Sequence, residues 1–209
     1  MAKRTLDIVC AAIGLIVLGP LLVVVAAIIV LDSAGPVFFR QERVGQFGRR
    51  FRIHKFRTMR HGTAAAGPSL TVGADSRVTK VGSFLRRYKI DELPQLIDVV
   101  RGDMSLVGPR PEVPEYIAHY SESDRAAVLS VRPGITDRAS LEYRDESSLL
   151  AKAEDPHRFY IDEILPVKIR YYREYVSSHS TLGDIRIILM TLRRVILGDD
   201  PRLGDLGRK

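Results

Sequence analysis

The sequence contains a single cysteine, Cys10. That excludes a disulfide framework and a cysteine-built metal site within one chain, and it fits a reducing compartment. Its five histidines, His54, His61, His119, His157 and His179, fall at no metal-ligand spacing. Neither a Gly-rich Walker loop nor a Gly-x-Ser-x-Gly elbow occurs, which leaves Ser/His hydrolysis without support. Acidic side chains nearly vanish between Arg40 and Arg60, where Glu42 stands alone against Arg40, Arg43, Arg49, Arg50, Arg52, Lys55, Arg57 and Arg60. From Ile8 to Leu31 there is no charged side chain at all, and the chain shows no internal repeat or low-complexity tract.

With 209 residues and a formal charge of +7, the chain is long enough for one domain with its own core. The concentrated Arg and Lys imply an anionic partner. Nucleic acid, the acidic headgroups of a cytoplasmic leaflet and a phosphorylated substrate all suit that charge. The apolar run favours the last two.

About 20 apolar residues cross the hydrocarbon core as a helix, so the run from Ile8 to Leu31 is long enough to span. Pro20 near its middle removes a helical hydrogen bond and clashes with the preceding turn, and Gly14 and Gly19 loosen it further. Basic residues flank both ends, Lys3 and Arg4 before the run and the Arg-rich stretch after it. The positive-inside rule therefore favours a re-entrant hairpin that enters and leaves one face, with Gly19-Pro20 as the break and both termini cytosolic. A plain single span and a signal peptide are the competing readings. A signal h-region is usually about 7–15 residues, shorter than this run.

Beyond Gly35-Pro36 the runs Val37–Val44 and Arg50–Phe56 read as a strand pair around Gly45-Gln46-Phe47-Gly48. Phe51 and Ile53 alternate with Arg50, Arg52 and His54, which predicts a charged outer face. The Gly, Ala, Ser and Thr of His61–Ser76 predict a surface loop. Two amphipathic helical stretches flank Ile90-Asp91, and Asp91 is placed to cap the second, with Pro94 in its first turn. Pro109 and Pro111 hold Arg110 on an extended backbone. Leu182, Ile185, Ile188, Leu189, Leu192, Val195 and Ile196 recur at helical spacing. That stripe suits an interfacial amphipathic helix or, equally, a helix packed on the core.

The chemistry concentrates in Arg86-Arg87-Tyr88-Lys89-Ile90-Asp91-Glu92-Leu93-Pro94, where basic residues precede paired carboxylates. A carboxylate can attack phosphorus, but the mutual repulsion of two anions calls for a divalent metal, arginines or both. Mg2+ suits carboxylate and phosphate oxygens. Arginine grips phosphate bidentately, which makes Arg86, Arg87, Arg101 and Arg110 candidate clamps. Each of these residues also has a bland reading, as a helix cap for Asp91 and as a solvated surface residue for each arginine.

Taken in order, several segments resemble the bacterial sugar transferase family, the monotopic phosphoglycosyl transferases. They are Lys3–Asp7, Gly35–Gly45, Lys55-Phe56-Arg57-Thr58-Met59, Asp91–Leu96, Gly102–Pro111 and Arg132-Pro133-Gly134-Ile135-Thr136. The resemblance implies transfer of a phosphosugar from a UDP-sugar donor to a polyprenol phosphate such as undecaprenyl phosphate, with release of UMP. It makes Asp91 the nucleophile of a covalent aspartyl-phosphosugar, Glu92 its dyad partner and Mg2+ the cofactor at both. Arg86 and Arg110 become the preferred phosphate binders, with Lys55 and Arg144 in the same anionic pocket. It also implies the cytosolic face of a bacterial inner membrane, contact with anionic lipid and no nucleic acid. Two departures stand out: Gly19-Pro20 where many members have Ser-Pro, and Asp137 where Gly often follows the Pro-Gly-Ile-Thr motif. The second sets the chain apart from the glucose- or galactose-transferring branch, so sugar identity is not inherited.

The expected architecture is α+β and mostly α, with a re-entrant membrane helix over residues 1–34 and a cytosol-facing catalytic domain with interfacial helices and a small β element over residues 35–209. The short length leads us to expect a catalytic core without further spans. The competing function is a non-catalytic, membrane-anchored module that binds anionic lipid or nucleic acid through the basic stretch.

Overall fold

The computed structural model describes residues 2–63, 70–73, 75–143 and 145–197. The fold is mostly helical, with an apolar N-terminal helix and few strands. Helix α1 (Ala2–Asp32) runs through Pro20 and contains 31 residues, about 46 Å at 1.5 Å per residue. It is long and apolar enough to cross a membrane.

One stripe of α1 packs on the rest of the chain. Ala11, Leu15 and Leu18 meet Ile53, Leu96, Val99 and Met104, and Leu22, Val25, Ala26 and Ile29 meet Phe56 and Leu85. Gly14 lets this contact close, since a Cβ there would lie 3.2 Å from Leu96 Cδ1. The opposite face, including Ile13, Ile16, Val17, Val23 and Val24, is exposed apolar surface.

Both ends of α1 are fastened by polar contacts. At the start, Lys3 Nζ lies 2.6 Å from Asp184 Oδ2 and donates to the Val107 carbonyl at 3.0 Å. Asp7 accepts from Ser105 Oγ at 2.8 Å and from the Leu106 amide at 3.1 Å. Arg4 donates to the Val99 and Val100 carbonyls at 2.7 and 3.2 Å. At the far end the buried Arg57 guanidinium donates to the carbonyls of Ile29, Ser33 and Ala34 at 3.2, 2.5 and 2.6 Å, joining the last turn of α1 to the two residues that follow it.

The expected strand pair is present as two short antiparallel ladders. Strand β1 (Phe38–Phe39) pairs with β4 (Lys55–Phe56), and β2 (Glu42–Val44) pairs with β3 (Arg50–Arg52) in the register Glu42↔Arg52 and Val44↔Arg50. Their tip is a 3-10 turn at Gln46–Gly48. The predicted outer face holds for Arg50 and Arg52 but not for His54, which is buried. The charged periodicity breaks between the ladders, and the His54 ring finds a partner inside.

Helix α2 (Lys80–Arg87) starts at Thr79, whose side chain accepts from the Gly82 amide. A 3-10 turn (Ile90–Gln95) leads into α3 (Leu96–Arg101), which Gly102 ends at φ 95°. Strand β5 (Ser105–Val107) then pairs in parallel with β6 (Gly134–Thr136). A Cβ on Gly134 would sit 2.1 Å from the Gly108 amide nitrogen, so the close approach of these two motifs requires glycine. Between them lie α4 (Pro114–Ile117) and α5 (Glu122–Val128).

After β6 come α6 (Arg138–Glu142), α7 (Glu146–Leu150) and α8 (Pro156–Phe159), then a π turn (Tyr160–Ile164) into α9 (Leu165–Ser178), and finally α10 (Thr181–Leu197). The largest core cluster includes Tyr116, Tyr120, Tyr160, Leu165 and Tyr172. On α10, Asp184 and Ile187 face inward, whereas Leu182, Ile185, Leu189 and Leu192 of the predicted stripe are exposed. The Ile196 side chain lies outside the described residues.

Candidate active site

The 3-10 turn sets the site. Its N-cap is Lys89, held at φ 56° and ψ 20° in the left-handed region, a conformation that non-glycine residues adopt rarely and that concentrates at functional positions. Asp91 therefore sits inside the turn and is not its cap. This corrects the capping expectation, because the turn begins two residues earlier than periodicity suggests. Freed from capping, the Asp91 carboxylate is 1% exposed, with Oδ2 2.9 Å from Lys55 Nζ. Oδ1 is buried without a hydrogen-bond partner.

Glu92 is the opposite case, with both oxygens engaged. Lys55 Nζ reaches Oε1 at 3.1 Å, Arg110 Nη2 donates to the same oxygen, and Arg110 Nη1 donates to Oε2 at 3.2 Å. Such a fork of guanidinium and carboxylate is the strong form of a charged hydrogen bond. Burial pushes the Glu92 carboxyl up, but Arg110, Lys55 and Lys89 together outweigh it and hold the group well below the ordinary carboxylate range. Glu92 in turn holds Arg110 well above its usual value. Lys89 feels the upward pull of Glu92, yet burial and the charges of Arg110 and Lys55 leave it lowered.

Arg110 is presented between its two prolines as expected, and Arg43 braces that loop by donating to the Pro111 carbonyl at 3.1 Å. Arg86 extends from the last turn of α2, donating to Thr58 Oγ1 at 2.8 Å and Thr71 Oγ1 at 3.2 Å. Burial lowers its pKa, against the pull of Asp91 and Asp75. The structure thus brings Lys55 and Arg110 into contact with the Asp91–Glu92 pair and places Arg86 where it feels the Asp91 charge.

The other candidate arginines lie elsewhere. Arg87 is exposed, with its guanidinium carbon 5.8 Å from the Tyr88 ring centre. Arg101 is exposed at the end of α3, 3.5 Å from His54 Nε2, and among the described residues it makes no hydrogen bond to Asp91 or Glu92. Arg144 lies outside the described residues. Asp137 is the N-cap of α6, accepting from the Ser140 amide at 3.0 Å and from Ser140 Oγ. Burial raises its carboxyl.

Sequence reasoning passed over His54, Asp98 and Arg57. The Asp98 carboxylate, 1% exposed, accepts from the His54 ring and amide, a contact between residues far apart in sequence with no periodic signature. Arg57 stands in the sequence as one more charge in a basic run and as a member of the Lys55–Met59 segment, with no role of its own.

Among the described residues no group of three or more His, Cys, Asp or Glu side chains gathers into a metal cluster. A hard cation that keeps waters and takes one or two carboxylates plus substrate phosphate oxygens still fits here. Asp91 Oδ1 offers an open oxygen, whereas Glu92 would have to loosen its grip on Lys55 or Arg110. The arrangement suits chemistry on a phosphorylated substrate: one unpartnered carboxylate oxygen among fixed cations.

The model of the bacterial sugar transferase family matches residues 1–198. A UDP-N-acetylgalactosamine-undecaprenyl-phosphate N-acetylgalactosaminephosphotransferase from Aeromonas hydrophila is 36% identical over 198 residues, covering 94% of this chain and 44% of the relative. A UDP-glucose:undecaprenyl-phosphate glucose-1-phosphate transferase from Xanthomonas campestris pv. campestris is 38% identical over 203 residues, covering 94% and 39%. A protein of that same name from Caulobacter vibrioides is 37% identical, covering 96% of this chain and 72% of the relative. The chain thus spans less than half the length of the first two.

Proposed function

The chain belongs to the bacterial sugar transferase family, and we propose that it moves a phosphosugar from a UDP-sugar to a polyprenol phosphate such as undecaprenyl phosphate. The observation that carries this reading is Asp91, buried with Oδ1 unpartnered beside Lys55. In the first step Asp91 Oδ1 attacks the sugar-linked phosphorus. The new O–P bond forms as the bond to the UMP oxygen breaks, and UMP leaves with the electron pair. In the second step a phosphate oxygen of the polyprenol phosphate attacks the same phosphorus and displaces Asp91, giving polyprenol diphosphate sugar.

Lys55 and Arg110 already neutralise the two carboxylates and are poised to take phosphate oxygens, with Arg86 at the edge. Mg2+, which the Asp91 and Glu92 carboxylates would hold together with substrate phosphate oxygens, would supply further neutralisation of the diphosphate charge. A buried Glu92 kept anionic by Arg110 serves as an electrostatic partner of Asp91. A pure binder of anionic lipid has no use for such a fork beside an unpartnered carboxylate oxygen.

The membrane reading rests on α1. Lys3, Arg4 and Asp7 tie its start, and Arg57 ties its end, to the same domain. This supports a re-entrant helix that dips into the cytosolic leaflet with both termini cytosolic. The outward apolar stripe of α10 supports an interfacial position beside it, and the basic stretch of residues 40–60 suits anionic headgroups.

The test is UMP release from a set of UDP-sugars with polyprenol phosphate and Mg2+, comparing the wild type with Asp91→Asn. We expect loss of turnover in the variant, and a mass increase of one phosphosugar on the wild-type Asp91 peptide when acceptor is withheld. Equal rates would sink the mechanism. Labelling of Met1 from outside intact cells would refute the topology.

A further inference from the structure

We infer that the buried His54–Asp98 pair is a positioning device that aims Lys55 at Asp91 and Glu92. The inference rests on the reading of Asp91–Glu92 as the reacting pair, and its geometry is separate from that reading.

One carboxylate grips one residue twice. Asp98 Oδ1 lies 2.5 Å from His54 Nδ1, and Asp98 Oδ2 accepts from the His54 backbone amide at 2.8 Å. His54 and Asp98 are 5% and 1% exposed. On the other side of the ring, Arg40 Nη1 approaches Nε2 to 2.6 Å. A guanidinium can only donate, so Nε2 carries the lone pair and Nδ1 the hydrogen given to Asp98. Arg40 is itself held by its bond to the Arg52 carbonyl at 2.7 Å, and the Phe38 ring meets the imidazole edge-on at 5.9 Å. Ring, tautomer and backbone of His54 are all fixed.

The two ends of this clamp lie on the two segments that build the site. His54 directly precedes Lys55 at the start of β4. Asp98 sits on α3, which continues without a break from the turn bearing Asp91 and Glu92. The clamp thus sets the register between the strand that supplies the cation and the turn that supplies the carboxylates. Lysine has a flexible four-carbon stem, so where its Nζ rests depends on where its backbone is held. A buried aspartate is costly unless paired, and an apolar pair would join strand to helix without that cost. The polar pair adds a directional lock on the residue next to Lys55. Among the described residues His54 makes no bond to Asp91 or Glu92, so its action passes through Lys55.

The experiment uses the full chain in nanodiscs and two readouts. The first is the acylation rate of the Lys55 amine by a small activated ester, read by peptide mass. His54→Leu is expected to raise that rate several-fold. His54→Asn, which keeps a side-chain N–H for Asp98, should stay near the wild type. The second is a double-mutant cycle on turnover. His54→Leu is expected to lower kcat about 10- to 100-fold, the scale for slight misplacement of a catalytic group, with KM for the donor little changed. In a Lys55→Met background it should lower kcat no further. If His54→Leu does not fold, Asp98→Asn replaces it, with the same direction of change expected. Unchanged Lys55 acylation in a folded variant, or losses that multiply in the double variant, would overturn the proposal. Altered acylation with no transferase activity in any form would instead refute the proposed reaction and leave the clamp standing.

Discussion

Arg57→Ala gives the sharpest test of how the apolar helix is held. The guanidinium is 5% exposed and donates to the carbonyls of Ile29, Ser33 and Ala34. Removing it deletes the charged hydrogen bond to the buried Ile29 carbonyl, which then keeps only the Ser33 amide at 3.2 Å, a loss of about 1.5–3 kcal/mol. Ser33 and Ala34 are partly or fully exposed, so water recovers part of their two charged hydrogen bonds, each about 1.5–3 kcal/mol before that recovery. The sum is about 3–5 kcal/mol. For a chain of 209 residues, where 1 kcal/mol moves Tm by about 2–4 °C, thermal unfolding in nanodiscs should fall by about 6–20 °C. Arg57→Lys, which retains one cationic donor, should recover part of the loss. The exposed Arg60→Ala serves as control and should stay within about 0.5 kcal/mol. A Tm for Arg57→Ala equal to that of the control would show that the C-terminal end of α1 is not fastened by this residue.

Three further outcomes follow from the same contacts. Because Glu92 is held well below the ordinary carboxylate value of about 4.3, its stabilising contribution is complete above that pH and is lost as pH falls through the depressed value. The stability gap between wild type and Glu92→Gln should therefore be wide near neutrality and close on acidification, and a gap constant with pH would refute the charge assignment. Asp137→Ala should cost about 1 kcal/mol through loss of the α6 cap, whereas Asp137→Asn keeps an acceptor for the Ser140 amide, removes a buried charge and should match the wild type in denaturant melts at neutral pH; equal losses would contradict the capping role. The chain contains no tryptophan, so Leu189→Trp on the outward stripe of α10 gives a unique reporter. Its emission should be quenched by brominated lipid, and emission at the position of a fully hydrated indole would rule out an interfacial α10.

What could be read from the sequence rests on local regularity. A charge-free run long enough for lipid, basic residues at both its ends, prolines on either side of Arg110 and a carboxylate pair after a basic run are all properties of neighbouring residues. They led to the apolar helix, the mostly helical architecture and the pair Asp91–Glu92. The stripe on α10 left two readings open, and packing seats Asp184 and Ile187 inward while leaving Leu182, Leu189 and Leu192 uncovered. By residue type and spacing alone Arg86, Arg87, Arg101 and Arg110 stand equal, and only the family resemblance preferred Arg86 and Arg110. Tertiary structure sorted them, since a guanidinium's partner depends on which backbone lies opposite and not on its neighbours in sequence. The same reason hid the His54–Asp98 clamp and turned Arg57 from one more basic charge into the fastening of a helix that ends before it in the chain. Residue type and spacing determined that α1 is apolar, while the bonds of Lys3, Asp7 and Arg57 across the fold decided that both its ends belong to one domain.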